Sequence, residues 1–170
     1  MDIISVLFWV VGLIFFVAVI SAVVGVPYLS VHKKQRIKMM ELAGLKPGQK
    51  IVDLGSGIGN LLFLASEQGV SAVGYELNPF LVLVNRCLIL KKNLKDRVSV
   101  RMKSLYQADL KDVDVVFAFL LPEPMKKLES KLFNELKPGA LILSYAFPIP
   151  NREPVKKEQG IFVYRVGERG

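Results

Sequence analysis

The chain opens on an unbroken apolar run, Ile3 to Val26, which holds no charge and only Ser5 and Ser21 as polar side chains. As a helix it would reach roughly 36 Å at about 1.5 Å per residue, more than a hydrocarbon core of about 30 Å, so the pattern predicts one transmembrane helix. Asp2 before the run and its length argue against a cleaved signal peptide, which starts basic and is shorter. Lys33, Lys34, Arg36 and Lys38 follow the run, so the positive-inside rule predicts the N-terminus outside and the remainder on the cytoplasmic or matrix side. Pro27 ends the run. Val31 to Leu42 reads as a basic amphipathic helix with Ile37, Met40 and Leu42 available for one face, and the Gly44 to Gly48 stretch stops it.

Beyond Gly48 the pattern changes to short apolar runs: Lys50 to Leu54, Ser71 to Tyr75, Val98 to Met102, Val113 to Phe119 and Ala140 to Ala146. Helical stretches separate most of them, at Gly59 to Gln68, Pro79 to Leu94 and Pro124 to Leu136. Alternating strands and helices predict an α/β fold with a Rossmann-like, doubly wound, mostly parallel sheet. The tail departs from this, since Glu153 to Glu158 and Ile161 to Val166 flank Gln159-Gly160 without a helix between them, which predicts a C-terminal antiparallel hairpin. The expected organisation is residues 1–26 as anchor, 27–48 as juxtamembrane helix and linker, and 49–170 as one domain.

Composition narrows the classes. At 170 residues, one membrane segment and one compact domain exhaust the length. The apolar fraction of 52% and mean hydropathy of +0.39 owe much to the opening run. The net charge of +8 is scattered over Lys91, Lys92, Lys95, Arg97, Lys126, Lys127 and Lys131 with no interleaved aromatic motif, so no nucleic-acid partner is expected and attraction to anionic headgroups accounts for it. A single cysteine, Cys87, excludes an intrachain disulfide or a cysteine metal cluster; its apolar neighbourhood places it in the core, and no metal is expected.

The chemistry concentrates in Ile51-Val52-Asp53-Leu54-Gly55-Ser56-Gly57-Ile58-Gly59-Asn60, a strand with an acid near its end that runs through three alternate glycines into a helix. Glycines permit a sharp turn and close ligand approach, and the first turn of the helix offers free amides. A nicotinamide-type fingerprint would need its third glycine where Asn60 stands. The next strand ends in Glu76, followed by Leu77-Asn78-Pro79 at a helix start. A carboxylate there can accept hydrogen bonds from both hydroxyls of a ribose. Glu76 could instead cap the helix starting near Pro79, and the glycines could merely make a tight turn, but the joint order of strand, glycine loop, helix, strand and acid favours cofactor binding.

The Asp-x-Gly-x-Gly-x-Gly spacing resembles motif I of class I S-adenosylmethionine-dependent methyltransferases. The order of apolar run, Val-Pro-Tyr, basic helix, Leu-Lys-Pro-Gly, Asp-Leu-Gly-Ser-Gly, Gly-Tyr-Glu-Leu-Asn-Pro, Leu-Leu-Pro-Glu and a second Leu-Lys-Pro-Gly is similar to that of membrane-anchored protein-lysine methyltransferases. Eukaryotic members of that family modify the adenine nucleotide translocase and an ATP synthase subunit, and it has prokaryotic relatives. The resemblance implies S-adenosyl-L-methionine as cofactor, with Asp53, Gly55, Ser56 and Gly57 around its methionine part, Glu76 on its ribose and Asn78 nearby. It also implies a protein substrate at or near a membrane, with membrane lipid as the partner of the N-terminal helix.

The sequence departs from that family at three places. Ser30, Val31 and His32 replace a usual Pro-Thr-Pro run, Ile58 and Asn60 replace a charged pair, and Leu105 stands where an Asp would accept from the adenine amino group. Leu105 has no side-chain acceptor. For the acceptor side, Leu120-Leu121-Pro122-Glu123 after the fourth strand makes Glu123 the candidate catalytic carboxylate, although an acid before Pro124 also suits the first turn of a helix. His32, the only histidine, is expected at the surface beside the basic cluster. A lipid or small hydrophobic acceptor, and a non-catalytic membrane-anchored module that binds the donor, are the alternative readings.

Overall fold

The computed structural model describes residues 2–23 and 31–167. Pro27, the expected helix stop, and Ser30, the altered acceptor-side position, lie outside the described residues.

Strands β1 (Lys50–Leu54), β2 (Ser71–Glu76), β3 (Val98–Met102), β4 (Val115–Ala118) and β5 (Leu141–Tyr145) are parallel, and β7 (Ile161–Arg165) joins β5 antiparallel with β6 (Lys156–Glu158) outside it. The order β3-β2-β1-β4-β5-β7-β6 makes one seven-stranded sheet. All four residues of β4 are buried, as a strand covered on both faces requires, and this is why Val115 to Ala118 carries no polar alternation. At the β6–β7 turn, Gln159 and Gly160 both have positive φ, 51° and 78°, the backbone of a two-residue hairpin turn whose twist matches its strands. The expected sheet and hairpin are therefore present.

Successive residues of each strand feed two cores. Ile51, Val115, Phe117 and Leu143 pack with α2 (Lys33–Ala43), α3 (Asn60–Ser66) and α4 (Pro79–Lys91). Val52, Leu54, Val116 and Ala118 pack on the opposite face with Met125, Leu128 and Leu132 of α5 (Pro122–Glu135). The three α5 residues recur at three- and four-residue spacing, which gives that helix one apolar stripe.

Three expectations need correction. Helix α1 (Ile3–Val23) forms where the apolar run predicts one, with large side chains such as Phe8, Trp9 and Phe15 exposed. Among the described residues, however, no helix is long and apolar enough to cross a membrane, which overturns the single-pass placement with the N-terminus outside and the domain on the cytoplasmic or matrix side. Cys87 is exposed rather than in the core. The buried face of α4 is set by Val82, Asn85 and Ile89, and at about 100° per residue Cys87 turns away from it. In α2 the buried face is Met39, Met40 and Ala43, which leaves Ile37 exposed and Leu42 only partly covered.

Phe117 is fully buried on the central strand between β1 and β5. Phe117→Ala should cost about 3–5 kcal/mol through lost transfer energy and the cavity left behind. Urea denaturation checks this, with an unchanged slope and a lower midpoint expected.

Candidate functional site

In a parallel sheet of this order the chain leaves β1 on one side and β4 on the other, so a crevice opens at their carboxyl ends. The glycine loop sits at that switch point. Gly55, Gly57 and Gly59 have φ of 87°, 53° and 86°, a left-handed backbone throughout that side chains with a Cβ disfavour. The loop is fixed from two directions. From β2, the Tyr75 carbonyl accepts from the Gly55 and Ser56 amides at 2.9 and 3.1 Å. From α4, the Asn85 amide donates to the Gly57 carbonyl at 3.2 Å. A Cβ on Gly59 would lie 2.7 Å from Asn85 Oδ1, so this approach depends on glycine.

Glu76 closes the arrangement. Its Oε2 accepts from the Gly57 amide at 2.9 Å, while Oε1 accepts from the amides of Leu77 and Asn78 at 2.9 and 2.8 Å. One carboxylate therefore ties the glycine loop to the tip of β2. Three of its roughly four lone-pair sites are engaged, so two ribose hydroxyls would have to share sites or replace the Gly57 amide.

Asp53 lies below the loop, in register with Gly74 of β2 and Phe117 of β4, and only 4% exposed. Loss of hydration on burial, and secondarily repulsion from the Glu76 carboxylate, push its pKa from 3.8 to about 7. A buried acid held this high is a receptive partner for a positively charged ligand group. Two carboxylates facing an amide-lined loop thus suit a ligand that carries both a cation and vicinal hydroxyls.

The remaining sequence candidates are placed differently. Asn78 is the N-cap of α4, its Oδ1 accepting from Phe80 and Leu81 at 3.0 and 3.3 Å, which is a structural task. The Ser56 hydroxyl is buried without a hydrogen-bond partner, pointing inward to Gly74 rather than out of the loop. A Cβ on Gly74 would meet Ser56 Cβ and Leu62 Cδ1 at 2.7 Å. Glu123 is exposed in the first turn of α5, where a carboxylate complements the helix dipole. His32 is the exposed N-cap residue of α2 and makes no side-chain capping bond. Leu105, in a short 3₁₀ turn (Leu105–Gln107), packs partly against the α5-side core.

Sequence reasoning missed Asn85 and Met102. Asn85 is fully buried and its Oδ1 has no partner. Its spacing from Val82 and Ile89 puts a polar residue on the buried face of an apolar helix, which is a legible signal. Met102 is paired in register with Glu76 and is 57% exposed, and Leu77 beside them is 50% exposed. Together they leave apolar surface next to the carboxylate.

The ANTKMT methyltransferase domain matches residues 53–156, from Asp53 through the start of β6. Among curated relatives, the adenine nucleotide translocase lysine N-methyltransferase of Mus musculus is 38% identical over 76% of this chain and 57% of its own length. A Homo sapiens lysine N-methyltransferase named for an ATP synthase subunit is 30% identical over 77% of this chain and 56% of its own. The chain thus spans little more than half the length of these two. A protein-lysine N-methyltransferase of Saccharolobus islandicus (strain REY15A) is 30% identical over 87% of this chain and 98% of its own length. Among solved structures, an RNA methyltransferase from Salinibacter ruber in complex with S-adenosyl-L-homocysteine superposes with TM-score 0.75 at 32% identity, over 81% of this chain and 92% of that one. The matched domain takes in more than half of the sequence, and the chain belongs to the ANTKMT methyltransferase domain family.

Proposed function

We propose that this chain is an S-adenosylmethionine-dependent methyltransferase whose acceptor is a lysine amine of a protein. The observation that carries the reading is the pair of carboxylates at the switch point, Glu76 on the loop amides and Asp53 buried beneath it. The names of the mouse, human and Saccharolobus relatives support the acceptor class.

In this reading Glu76 takes the ribose hydroxyls of the donor, and Asp53 faces its positive charge. Leu77 and Met102 flank the base, and because Leu105 accepts no hydrogen bond the base is held by apolar contact. The bound donor supplies a methyl carbon on a sulfonium, so the amine lone pair forms the N–C bond while the C–S pair stays on sulfur, with no metal needed. The chain's own part is alignment and a dry, polarised site. Lysine, with a reference pKa of about 10.4, must shed its proton to water or to a carboxylate before attack. Glu123, five residues past the end of β4, is the side chain we assign to orienting the amine, in addition to its place in the first turn of α5.

Calorimetric titration of S-adenosylmethionine into the full chain tests the donor site. Saturable binding is expected, weakened about 10- to 150-fold in Asp53→Ala and in Glu76→Ala, each losing a charge-assisted contact of about 1.5–3 kcal/mol. A folded wild-type chain that binds no donor at about millimolar concentration contradicts the proposal. Acceptor class is read by incubating cell extract with methyl-labelled donor. Label that survives nuclease and appears as methyl-lysine after acid hydrolysis supports protein, whereas label released by ribonuclease supports the RNA acceptor that the Salinibacter structure's name raises.

Asp53 also sets a pH dependence. A carboxyl whose folded pKa is raised to about 7 contributes stability that is greatest below its unfolded value near 3.8 and is lost as pH rises through 7. Thermal unfolding of Asp53→Asn beside wild type should remove this part of the fall in melting temperature between pH 5 and 8. Because a cationic donor favours the ionised form, wild type should release protons on binding at pH 6.5. Titrations in buffers of different ionisation enthalpy read this, and equal proton release in wild type and Asp53→Asn would show that another group is responsible.

A further inference from the structure

Beside the glycine loop, the carboxyl ends of β4 and β5 carry two aromatic side chains that the donor site does not use. Leu54, Ala118 and Ser144 form one row across β1, β4 and β5, so Gly55, Phe119 and Tyr145 follow at the next level. Strands lie about 4.8 Å apart, which sets Phe119 one strand from Gly55 and Tyr145 two. Leu120, next to Phe119, already reaches the loop: its Cδ2 is 3.8 Å from where a Cβ on Gly55 would stand. The two rings meet edge to face, with centroids 5.0 Å apart and planes at 63°. Both are half-buried, and the Tyr145 hydroxyl has no hydrogen-bond partner among the described residues.

The turn after Tyr145 is held in an uncommon conformation. Ala146 has φ of 65°, which alanine adopts only when its surroundings impose it. The Ala146 amide donates to the Gly160 carbonyl at 2.8 Å, the Phe147 amide to the Tyr145 carbonyl at 2.9 Å, and the Ser144 hydroxyl to the Phe147 carbonyl at 2.5 Å. Gly160 lies beside the ring, where an added Cβ would be 3.7 Å from Tyr145 Cε2. The position of Tyr145 is thus fixed from both the β6–β7 turn and its own strand.

We propose that Phe119 and Tyr145 form the aromatic wall of the acceptor slot and select a slim, unbranched, cationic side chain such as lysine, an inference that rests on the methyltransferase reading above. The ring faces attract an ammonium group and its polarised methyl or methylene hydrogens, whereas an uncharged chain of the same shape gains only apolar contact. The free hydroxyl of Tyr145 can accept from an amine N–H, which fixes where the nitrogen lone pair points.

The test uses the full chain carrying 3-fluorotyrosine at its five tyrosines, with the Tyr145 resonance identified by its loss in Tyr145→Phe. The probes are Nα-acetyl-trimethyllysine methylamide and its uncharged carbon isostere, titrated with and without S-adenosylhomocysteine. Expected are a saturable shift at Tyr145 and about fivefold tighter binding of the cation than of the isostere. Phe119→Leu and Tyr145→Leu should bring the two probes to parity while S-adenosylhomocysteine affinity stays within about twofold. Equal affinity for the two probes in wild type, an unmoved Tyr145 resonance at saturation, or no probe binding overturns the proposal. Cation selectivity without any S-adenosylhomocysteine binding would instead contradict the donor site and leave the aromatic wall standing.

Discussion

Everything at the carboxyl end of this sheet depends on where the Glu76 side chain goes. The three left-handed glycines of the loop have no side chains to hold them, and left alone they would sample many backbone conformations. The Glu76 carboxylate removes that freedom by accepting from Gly57 on one side and from Leu77 and Asn78 on the other. Two of these bonds hold the segment that leads into α4, whose own cap is Asn78, and from that helix Asn85 donates to the loop. Loop, strand tip and helix start are thereby one unit, and the acid that a ribose would engage is the acid that builds the pocket.

The unit stands on a buried platform. β1 lies between β2 and β4, so Asp53 is flanked by Gly74 and Phe117 and is cut off from water. Its raised pKa follows from that placement, because a parallel sheet covered on both faces leaves no route for solvent to the strand ends below the loop. The close approach of Ser56 and Leu62 to Gly74 shows how tightly the loop and α3 press on β2. Glu76 at the end of β2, Phe119 just past β4 and Tyr145 of β5 stand at one level of the sheet, two residues above Asp53, and the register sets their spacing.

Much of this was legible in the sequence. Apolar runs located β1 to β5, because burial on one or two faces leaves a direct mark on composition, and the Gln159-Gly160 turn without a helix located the β6–β7 hairpin. Asp53, the glycines and Glu76 could be read together because strand, loop, helix and acid must follow one another at nearly fixed spacing. Other positions were not legible. Cys87 looked like core because α4 is apolar around much of its circumference, with Phe80, Leu83 and Leu90 exposed. Asn78, expected near the donor, also has a capping role that the sequence reading did not give it, since a residue before a Pro-initiated helix is a natural cap. Asn85 and the Phe119–Tyr145 pair needed tertiary register, since their partners are 28 and 26 residues away or on another strand. The apolar opening run specified a helix but not its surroundings.

Amide hydrogen exchange of the full chain, with and without S-adenosylmethionine, tests most directly whether Glu76 makes the glycine loop into the donor site. The account predicts added protection on donor binding at Gly55 to Gly59 and at Leu77 and Asn78, abolished in Glu76→Ala. Donor binding that leaves those amides unchanged and protects a different segment would contradict it.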